Sequence, residues 1–168
     1  VSSEYAGIAR LTILNEGIKR IFPEAVSLSD RSNTVRMITR LKNDDICIGT
    51  RGGGVIVYDP QMKTQKKKLH FNSNIYAIAE DNEGTVWMGS RGEGLRIGDK
   101  WYTNQSGNAS SISNNNIFIL YCDQKGRMWI GTFGGGLDLA VKGENGYTFR
   151  HFLNKSFGQR RTRAIMED

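Results

Sequence analysis

Short apolar runs bounded by turn residues recur along the chain, without the spacing of three to four residues that marks an amphipathic helix. In the middle of the chain, four such runs occupy residues 75–79, 85–89, 95–97 and 100–103. The turn-forming segment Asp81-Asn82-Glu83-Gly84 separates the first two runs, and Gly92-Glu93-Gly94 separates the second from the third. This pattern predicts four short antiparallel strands joined by tight turns.

The same unit occurs three times in nearly constant register. Val35, Ile75 and Ile117 begin the three units, at intervals of 40 and 42 residues. The second run of each unit has a similar composition: Ile46-Cys47-Ile48-Gly49-Thr50, Val86-Trp87-Met88-Gly89-Ser90 and Met128-Trp129-Ile130-Gly131-Thr132. Four strands repeated about every 41 residues are typical of β-propeller blades. We therefore predict an all-β fold of four-stranded antiparallel β-propeller blades that form an incomplete ring.

The repeat also predicts where each blade begins and ends within residues 1–168, which we interpret as one propeller fragment. The predicted parts are the end of a preceding blade at 1–30, three blades at 31–71, 72–112 and 113–160, and the first strand of a next blade at 161–168. Closed propellers contain about four blades or more, so the remaining blades of the same propeller are expected partners. Uncovered sheets also predict self-association of the isolated chain.

Composition and charge exclude several classes of protein. The net charge is +6, but basic residues form runs only at Lys66-Lys67-Lys68 and within residues 160–163, which is typical of solvated surface, so we expect no nucleic-acid partner. Apolar runs fall well short of the ~18 residues of a membrane span, so we expect no membrane contact by this segment. Cys47 and Cys122 match no metal or redox spacing and are predicted to be buried, with their disulfide status open.

Residues that could support catalysis are few and scattered. The two histidines, His70 and His151, lie 81 residues apart without a recurrent acidic partner. Asp81 and Asp123 recur in phase, which indicates a turn-forming role rather than a unique active site. The glycine-rich turns lead into strands, whereas a phosphate-binding loop needs a following helix. We predict no catalytic residue, no metal and no cofactor; part of a propeller-type polysaccharide lyase or glycosidase remains an alternative.

The sequences Trp87-Met88-Gly89-Ser90 and Trp129-Ile130-Gly131-Thr132, each followed by a glycine-rich turn and leucine, resemble the two-component regulator propeller repeat. The first unit departs from that repeat, with Leu41, Asp44 and Cys47 at its aspartate, glycine and tryptophan positions. The resemblance implies a periplasmic sensor region of a hybrid histidine kinase of the Bacteroides type, with the kinase outside this chain. It further implies recognition of an oligosaccharide or other small ligand. A protein-interaction propeller without a small ligand is an alternative.

Blade topology predicts where a ligand would bind. Because the strands run up and down, the loops after the second and fourth strands share one face. Arginine and aromatic side chains on that face could hydrogen-bond to sugar hydroxyls and stack on sugar rings. The loop positions after the second strand and the starts of the inner strands supply the candidate ligand-binding residues: Arg36, Arg51, Tyr76, Arg91, Phe118 and Phe133.

Overall fold

The computed structural model describes residues 2–3, 7–11, 18–21, 31–152 and 161–167, with side chains described from residue 32 onward. These residues form three four-stranded antiparallel sheets and one three-stranded sheet. Their only helical element is a short 3-10 turn at Arg31–Asn33, so they hold no helix that could cross a membrane. The predicted all-β architecture of four-stranded antiparallel sheets is confirmed.

Strands follow one another in sequence order within every sheet. The N-terminal sheet consists of β1 (Ser2–Ser3), β2 (Gly7–Leu11) and β3 (Ile18–Ile21). Blade 1 consists of β4 (Val35–Arg40), β5 (Ile46–Thr50), β6 (Val55–Tyr58) and β7 (Gln65–Leu69). Blade 2 consists of β8 (Ile75–Glu80), β9 (Val86–Ser90), β10 (Leu95–Ile97) and β11 (Lys100–Tyr102). Blade 3 consists of β12 (Ile117–Cys122), β13 (Met128–Thr132), β14 (Leu137–Gly143) and β15 (Gly146–Phe152).

The chain divides into two compact units, Val1–Ile75 and Tyr76–Asp168. The first unit contains the N-terminal sheet and blade 1, whose core consists of Val35, Ile48, Ile56 and Tyr58. The second unit contains blade 3 and, apart from Ile75, blade 2. The predicted boundaries at 1–30, 31–71, 72–112, 113–160 and 161–168 stay predictions.

The basic run of blade 1 lies on an outer strand. Lys66, Lys67 and Lys68 belong to β7, which is the last strand in its sheet, and the first two are exposed. Lys66 Nζ lies 2.5 Å from the carboxylate of Asp45. Lysines on an edge strand disfavour pairing with another chain, which accounts for this run without a ligand.

An aspartate organises the first hairpin of blades 2 and 3. Asp81 Oδ1 accepts hydrogen bonds from the backbone N–H groups of Glu83 and Thr85, and its Oδ2 accepts one from Trp87 Nε1 at 2.8 Å. Asp123 makes the equivalent set of bonds, including one from Trp129 Nε1 at 2.9 Å. The recurring aspartates are therefore turn-forming residues that also satisfy the indole N–H of the second strand.

Blade 1 closes the equivalent hairpin without that aspartate. Asp44 occupies the position of the turn glycines with a φ of 69°, where Gly84 and Gly126 have 82° and 75°. The turn is instead supported by Asn43, whose Oδ1 accepts from the backbone N–H of Asp45. With Cys47 in place of tryptophan, this blade has no indole N–H to satisfy, so the departure from the repeat leaves the hairpin intact.

The Gly-Ser/Thr pair that ends each second strand has two separate roles. A Cβ on Gly89 would lie 2.5 Å from Ile117 of blade 3, so this glycine allows neighbouring blades 2 and 3 to approach. The hydroxyl of Ser90 accepts from the N–H of Glu93 and donates to the carbonyl of Gly94, which closes the glycine-rich turn. Thr50 and Thr132 make the same pair of bonds in the other blades.

The core of the second unit lies between blades 2 and 3. Trp87, Leu95, Ile117 and Ile130 are at most 1% exposed and belong to one apolar cluster. Trp87 of the second strand is therefore a core residue of this unit. Cys47 is buried as predicted, Cys122 is only half-buried, and both are free thiols.

The segment predicted as the first strand of a next blade, 161–168, is only partly strand-like. Arg161 forms an isolated antiparallel bridge with Phe133, and the N–H of Thr162 donates to the carbonyl of Thr132 at 3.0 Å. Residues 162–167 are not assigned to a strand.

Candidate functional site

Three aromatic rings and one guanidinium group form a continuous stack in the second unit. The Tyr76 and Phe118 rings are stacked with centroids 4.6 Å apart and an interplanar angle of 23°. Phe118 and Phe133 are stacked at 5.2 Å and 26°. The guanidinium carbon of Arg161 lies 4.0 Å from the Phe133 centroid. We call Tyr76, Phe118, Phe133 and Arg161 the aromatic stack.

The strand pattern explains why these rings meet outside the core. Tyr76 and Phe118 are the second residues of β8 and β12, each directly after an isoleucine that is 0% exposed. Successive side chains of a strand point to opposite faces of the sheet. The isoleucines therefore pack in the core, whereas the aromatic rings lie on the opposite face. Phe118 also lies at a β-bulge in the β12–β13 pairing, and bulges redirect side chains.

The aromatic stack is partly open to solvent. All three rings are half-buried, and Arg161 is exposed. The segment before β12 holds the neighbouring loops in place: the carbonyl of Asn116 accepts from the N–H of Phe133 at 2.9 Å, and Asn116 also forms a bridge with Arg91. Exposed Arg91 therefore flanks the stack on the far side of Asn116. The result is an apolar platform with the Arg161 guanidinium group over one end and the backbone of Arg91 beyond Asn116.

The structure brings together only part of the predicted site. Tyr76, Phe118 and Phe133 are in contact, and Arg91 adjoins them through Asn116. The remaining two candidates belong to the first unit. There, half-buried Arg36 lies at the β-bulge of β4, and the N–H of Arg51 donates to the carbonyl of Thr34 at 2.9 Å. Ligand binding by all six residues stays a prediction.

Sequence reasoning missed Arg161 as a member of the stack. The basic run 160–163 was its only signal in the sequence, and such runs are usually solvated. Nothing in that run indicates which arginine would cross to Phe133. The backbone bridge between Phe133 and Arg161 places the Arg161 side chain, rather than that of a neighbouring arginine, over the ring.

A buried acid–base pair in blade 3 was also missed. Asp138 is fully buried, and its Oδ1 lies 3.7 Å from Nδ1 of His151 on the neighbouring strand. Its Oδ2 accepts from the backbone N–H of Ser113 at 2.8 Å. His151 Nε2 donates to the carbonyl of Ser111 at 2.9 Å. The sequence hides this pair because Ile56 and Arg96 occupy the equivalent strand position in blades 1 and 2.

This acid–base pair is arranged for structure rather than catalysis. In a catalytic triad, the imidazole nitrogen remote from the carboxylate faces a nucleophile. Here that nitrogen is bound to a backbone carbonyl, so the pair fastens β14 and β15 to the segment before β12. Burial raises the pKa of Asp138 and outweighs the opposing effects of the Ser113 hydrogen bonds and His151. Among the described residues, no three His, Cys, Asp or Glu side chains are grouped as metal ligands would be.

Comparison with known proteins agrees with the repeat and the fold. The family model of the two-component regulator propeller matches residues 70–92 and 111–134. These two segments are similar to the two-component regulator propeller repeat. These matched residues contain all of β8, β9, β12 and β13, together with the two Asp–Trp hairpins. No curated protein matches the chain significantly.

The solved structures with similar folds are much longer chains. The extracellular domain of a candidate one-component system from B. thetaiotaomicron is 27% identical, with a TM-score of 0.69 over 83% of this chain and 20% of that one. A second structure, the extracellular domain of a candidate hybrid two-component system of the same organism, is 25% identical. It has a TM-score of 0.66 over 86% of this chain and 19% of that one. A third such domain is 21% identical, with a TM-score of 0.65 over 99% of this chain and 22% of that one. The chain thus spans about a fifth of each.

Proposed function

We propose that this chain is a ligand-recognition segment of the extracytoplasmic, periplasmic sensor domain of a hybrid two-component histidine kinase, and that it binds an oligosaccharide. Two findings support the sensor role: the two-component regulator propeller repeats, and the likeness to extracellular domains of such systems. The observation that carries the ligand proposal is the aromatic stack of Tyr76, Phe118 and Phe133 with Arg161.

The aromatic stack suits the chemistry of a sugar ring. One face of a pyranose presents C–H groups that pack on an aromatic ring, while its hydroxyl groups need hydrogen-bond partners. Half-buried rings provide the first requirement, and the guanidinium groups of Arg91 and Arg161 provide the second with several N–H donors each. Because both arginines are exposed and positively charged, we expect sugars that carry carboxylate or sulfate groups to bind more tightly than neutral ones.

Signalling follows if ligand binding favours one arrangement of the sensor over another. A ligand shifts such an equilibrium only by its difference in affinity for the two arrangements. The stack spans the inner strands of blades 2 and 3 and reaches residue 161 of the next segment. A ligand bound across it would therefore contact three successive parts of the repeat, and kinase activity would reside elsewhere in the protein.

Calorimetric titration of the full chain with neutral and acidic oligosaccharides tests this proposal through the Phe133→Arg variant. Arg51 and Arg91 occupy the equivalent loop position in the other blades, so the fold accommodates arginine there. Arginine there removes the ring on which the sugar face packs and brings a second guanidinium against that of Arg161. Despite the added charge, we therefore expect the variant to bind acidic oligosaccharides at least tenfold more weakly, a loss of about 1.4 kcal/mol. Val141→Arg is the matched control, since it adds the same charge at an exposed position of β14.

Either of two results would overturn the proposal. Unchanged affinity in Phe133→Arg would remove the stack from the binding site. Failure of the wild-type chain to bind any glycan of the panel would favour a protein-interaction propeller instead.

A further inference from the structure

We propose that a second cleft, on the outer strands of blades 2 and 3, binds a neutral carbohydrate. This cleft has a volume of about 320 Å³ and lies between β11, β15 and the connection that joins the two blades. We call it the rim cleft and define it by six residues: Trp101, Tyr102, Gln105, Asn108, Ser110 and Thr148. Its volume is at the small end of the range for ligand sites, which suits a short sugar segment.

The rim cleft presents a half-exposed tryptophan on its outer strand. Trp101 pairs with Arg96 on the neighbouring strand and is 43% exposed. By the same register, Lys68 occupies this position in blade 1 and His151 occupies it in blade 3. The strand position therefore accepts charged and polar side chains in the sibling blades. Tryptophan instead offers the cleft an indole ring on which a ligand could pack.

The loop that lines the rim cleft is long and internally ordered. Fourteen residues separate Tyr102 from Ile117, whereas five separate Leu69 from Ile75 at the equivalent junction before blade 2. Within this loop the N–H of Gln105 donates to Ser111 Oγ, and the N–H of Asn108 donates to the carbonyl of Gln105. Long loops of fixed conformation are often functional, and pre-organisation lowers the entropy lost on binding.

A further hydrogen bond fixes this loop to the opposite wall of the cleft. The N–H of Phe149, on β15, donates to the carbonyl of Ser110 at 2.9 Å. Asn108 Oδ1 accepts from the N–H of Ser110, which holds the turn between them. Both walls of the cleft are therefore set in place before a ligand arrives.

The side chains of the rim cleft indicate a neutral, hydroxyl-rich ligand. Among the residues that the structure describes, its lining contains aromatic rings, amides and hydroxyl groups, but no Asp, Glu, Lys or Arg side chain. A charged ligand would lose hydration there without gaining a charged partner. A neutral sugar meets both parts of the lining: its C–H face can pack on the Trp101 indole, and its hydroxyls can exchange hydrogen bonds with the amides and hydroxyls.

The rim cleft is separate from the aromatic stack. The stack rises from the first strands of blades 2 and 3, whereas Trp101 and Thr148 lie on the fourth strands. Three strand spacings of about 4.8 Å place the two sites on the order of 14 Å apart across each sheet. The two sites also differ in charge, so they should select different glycans and can be tested independently.

The test measures binding of the full chain to an array of neutral oligosaccharides of glucose, mannose, galactose, xylose and arabinose. Trp101→Lys introduces the residue that occupies this position in blade 1, Lys68. We expect this variant to bind at least tenfold more weakly to the neutral glycan that the wild-type chain binds. Trp101→Phe should keep most of the affinity because it preserves a ring. Val141→Arg, which adds a charge at an exposed position outside both sites, should leave neutral-glycan binding unchanged.

A spectroscopic measurement guards against a folding defect in the variants. The indole N–H resonance of Trp101, assigned by its loss in Trp101→Phe, should shift when the neutral glycan is added to the wild-type chain. Retention of neutral-glycan affinity in Trp101→Lys would overturn the proposal. So would the absence of any neutral glycan that binds, or an indole resonance that does not move at saturation.

Discussion

The indole nitrogen of Trp129 shows what a single side chain contributes to a repeat. Its N–H, the Arg127 guanidinium and two backbone N–H groups all donate to the carboxylate of Asp123. Burial opposes ionisation of Asp123, but the hydrogen bonds from Trp129 and Arg127 outweigh it and lower its pKa to about 2. The ionised carboxylate is therefore part of the hairpin.

Acid should weaken this hairpin through Asp123. A carboxyl whose pKa is lowered on folding stabilises the fold above its ordinary pKa of about 4, and that contribution is lost as the pH falls towards about 2. Asp123→Asn should lower the free energy of unfolding by about 1 kcal/mol at neutral pH and flatten its decline between about pH 4 and pH 2. Urea unfolding at several pH values measures both effects. Exposed Asp99→Asn is the control, and an equal slope in both variants would contradict the account.

The acid–base pair of blade 3 should show the opposite dependence on pH. Because burial raises the pKa of Asp138, protonation of its carboxyl favours the folded chain at low pH, and this contribution is lost as the pH rises through the raised value. Asp138→Asn keeps an oxygen for the N–H of Ser113 but cannot ionise. Its stability relative to wild type should therefore increase with pH, reaching on the order of 1 kcal/mol at neutral pH. A difference that stays constant from about pH 4 to pH 8 would contradict this interpretation.

Among the elements, β9 shows how one strand joins two blades. Its tryptophan packs in the core of the second unit, and its glycine lies against Ile117 of β12. The glycine of the repeat is therefore required by close approach of the next blade rather than by an unusual backbone angle. Gly131 repeats this arrangement, since a Cβ there would lie 2.8 Å from Thr162.

Gly89→Ala should destabilise the second unit. The added methyl group would lie 2.5 Å from Ile117 and force the two strands apart, and overpacking of this kind costs about 1–3 kcal/mol. Gly143→Ala is the matched control on β14, because its Cβ would meet only the carbonyl of Gly146 at an ordinary 3.6 Å. Thermal unfolding of both variants provides the measurement. Equal unfolding midpoints of the two variants would contradict close packing of the blades at Gly89.

Strand identity was predictable from the sequence because each strand carries its own local signal. Apolar runs, Asp–Gly turns and the repeat placed the four strands of blade 2 within one residue of their ends. The site was predictable only in part. Tyr76, Phe118 and Phe133 follow from the repeat, because equivalent positions share a face. Contacts that differ between blades, such as Asp138 with His151 or Arg161 over Phe133, depend on side chains that the repeat does not specify.

For the whole molecule, the sheets of the repeat predict an association between chains. Among the described residues, 161–167 make one bridge to blade 3 and form no sheet beside it. The isolated chain should therefore associate with itself through this side of blade 3. Sedimentation velocity at a low and a high concentration tests this, and a sedimentation coefficient independent of concentration would contradict it.

The central claim is that the aromatic stack contacts a sugar directly. Saturation-transfer difference NMR tests it most directly, with irradiation of aromatic protons in the full chain and detection on a bound acidic oligosaccharide. The account predicts the strongest transfer to the C–H protons of one sugar face, its loss in Phe133→Arg and its persistence in Trp101→Lys. Transfer that survives in Phe133→Arg would contradict the claim and place the sugar elsewhere.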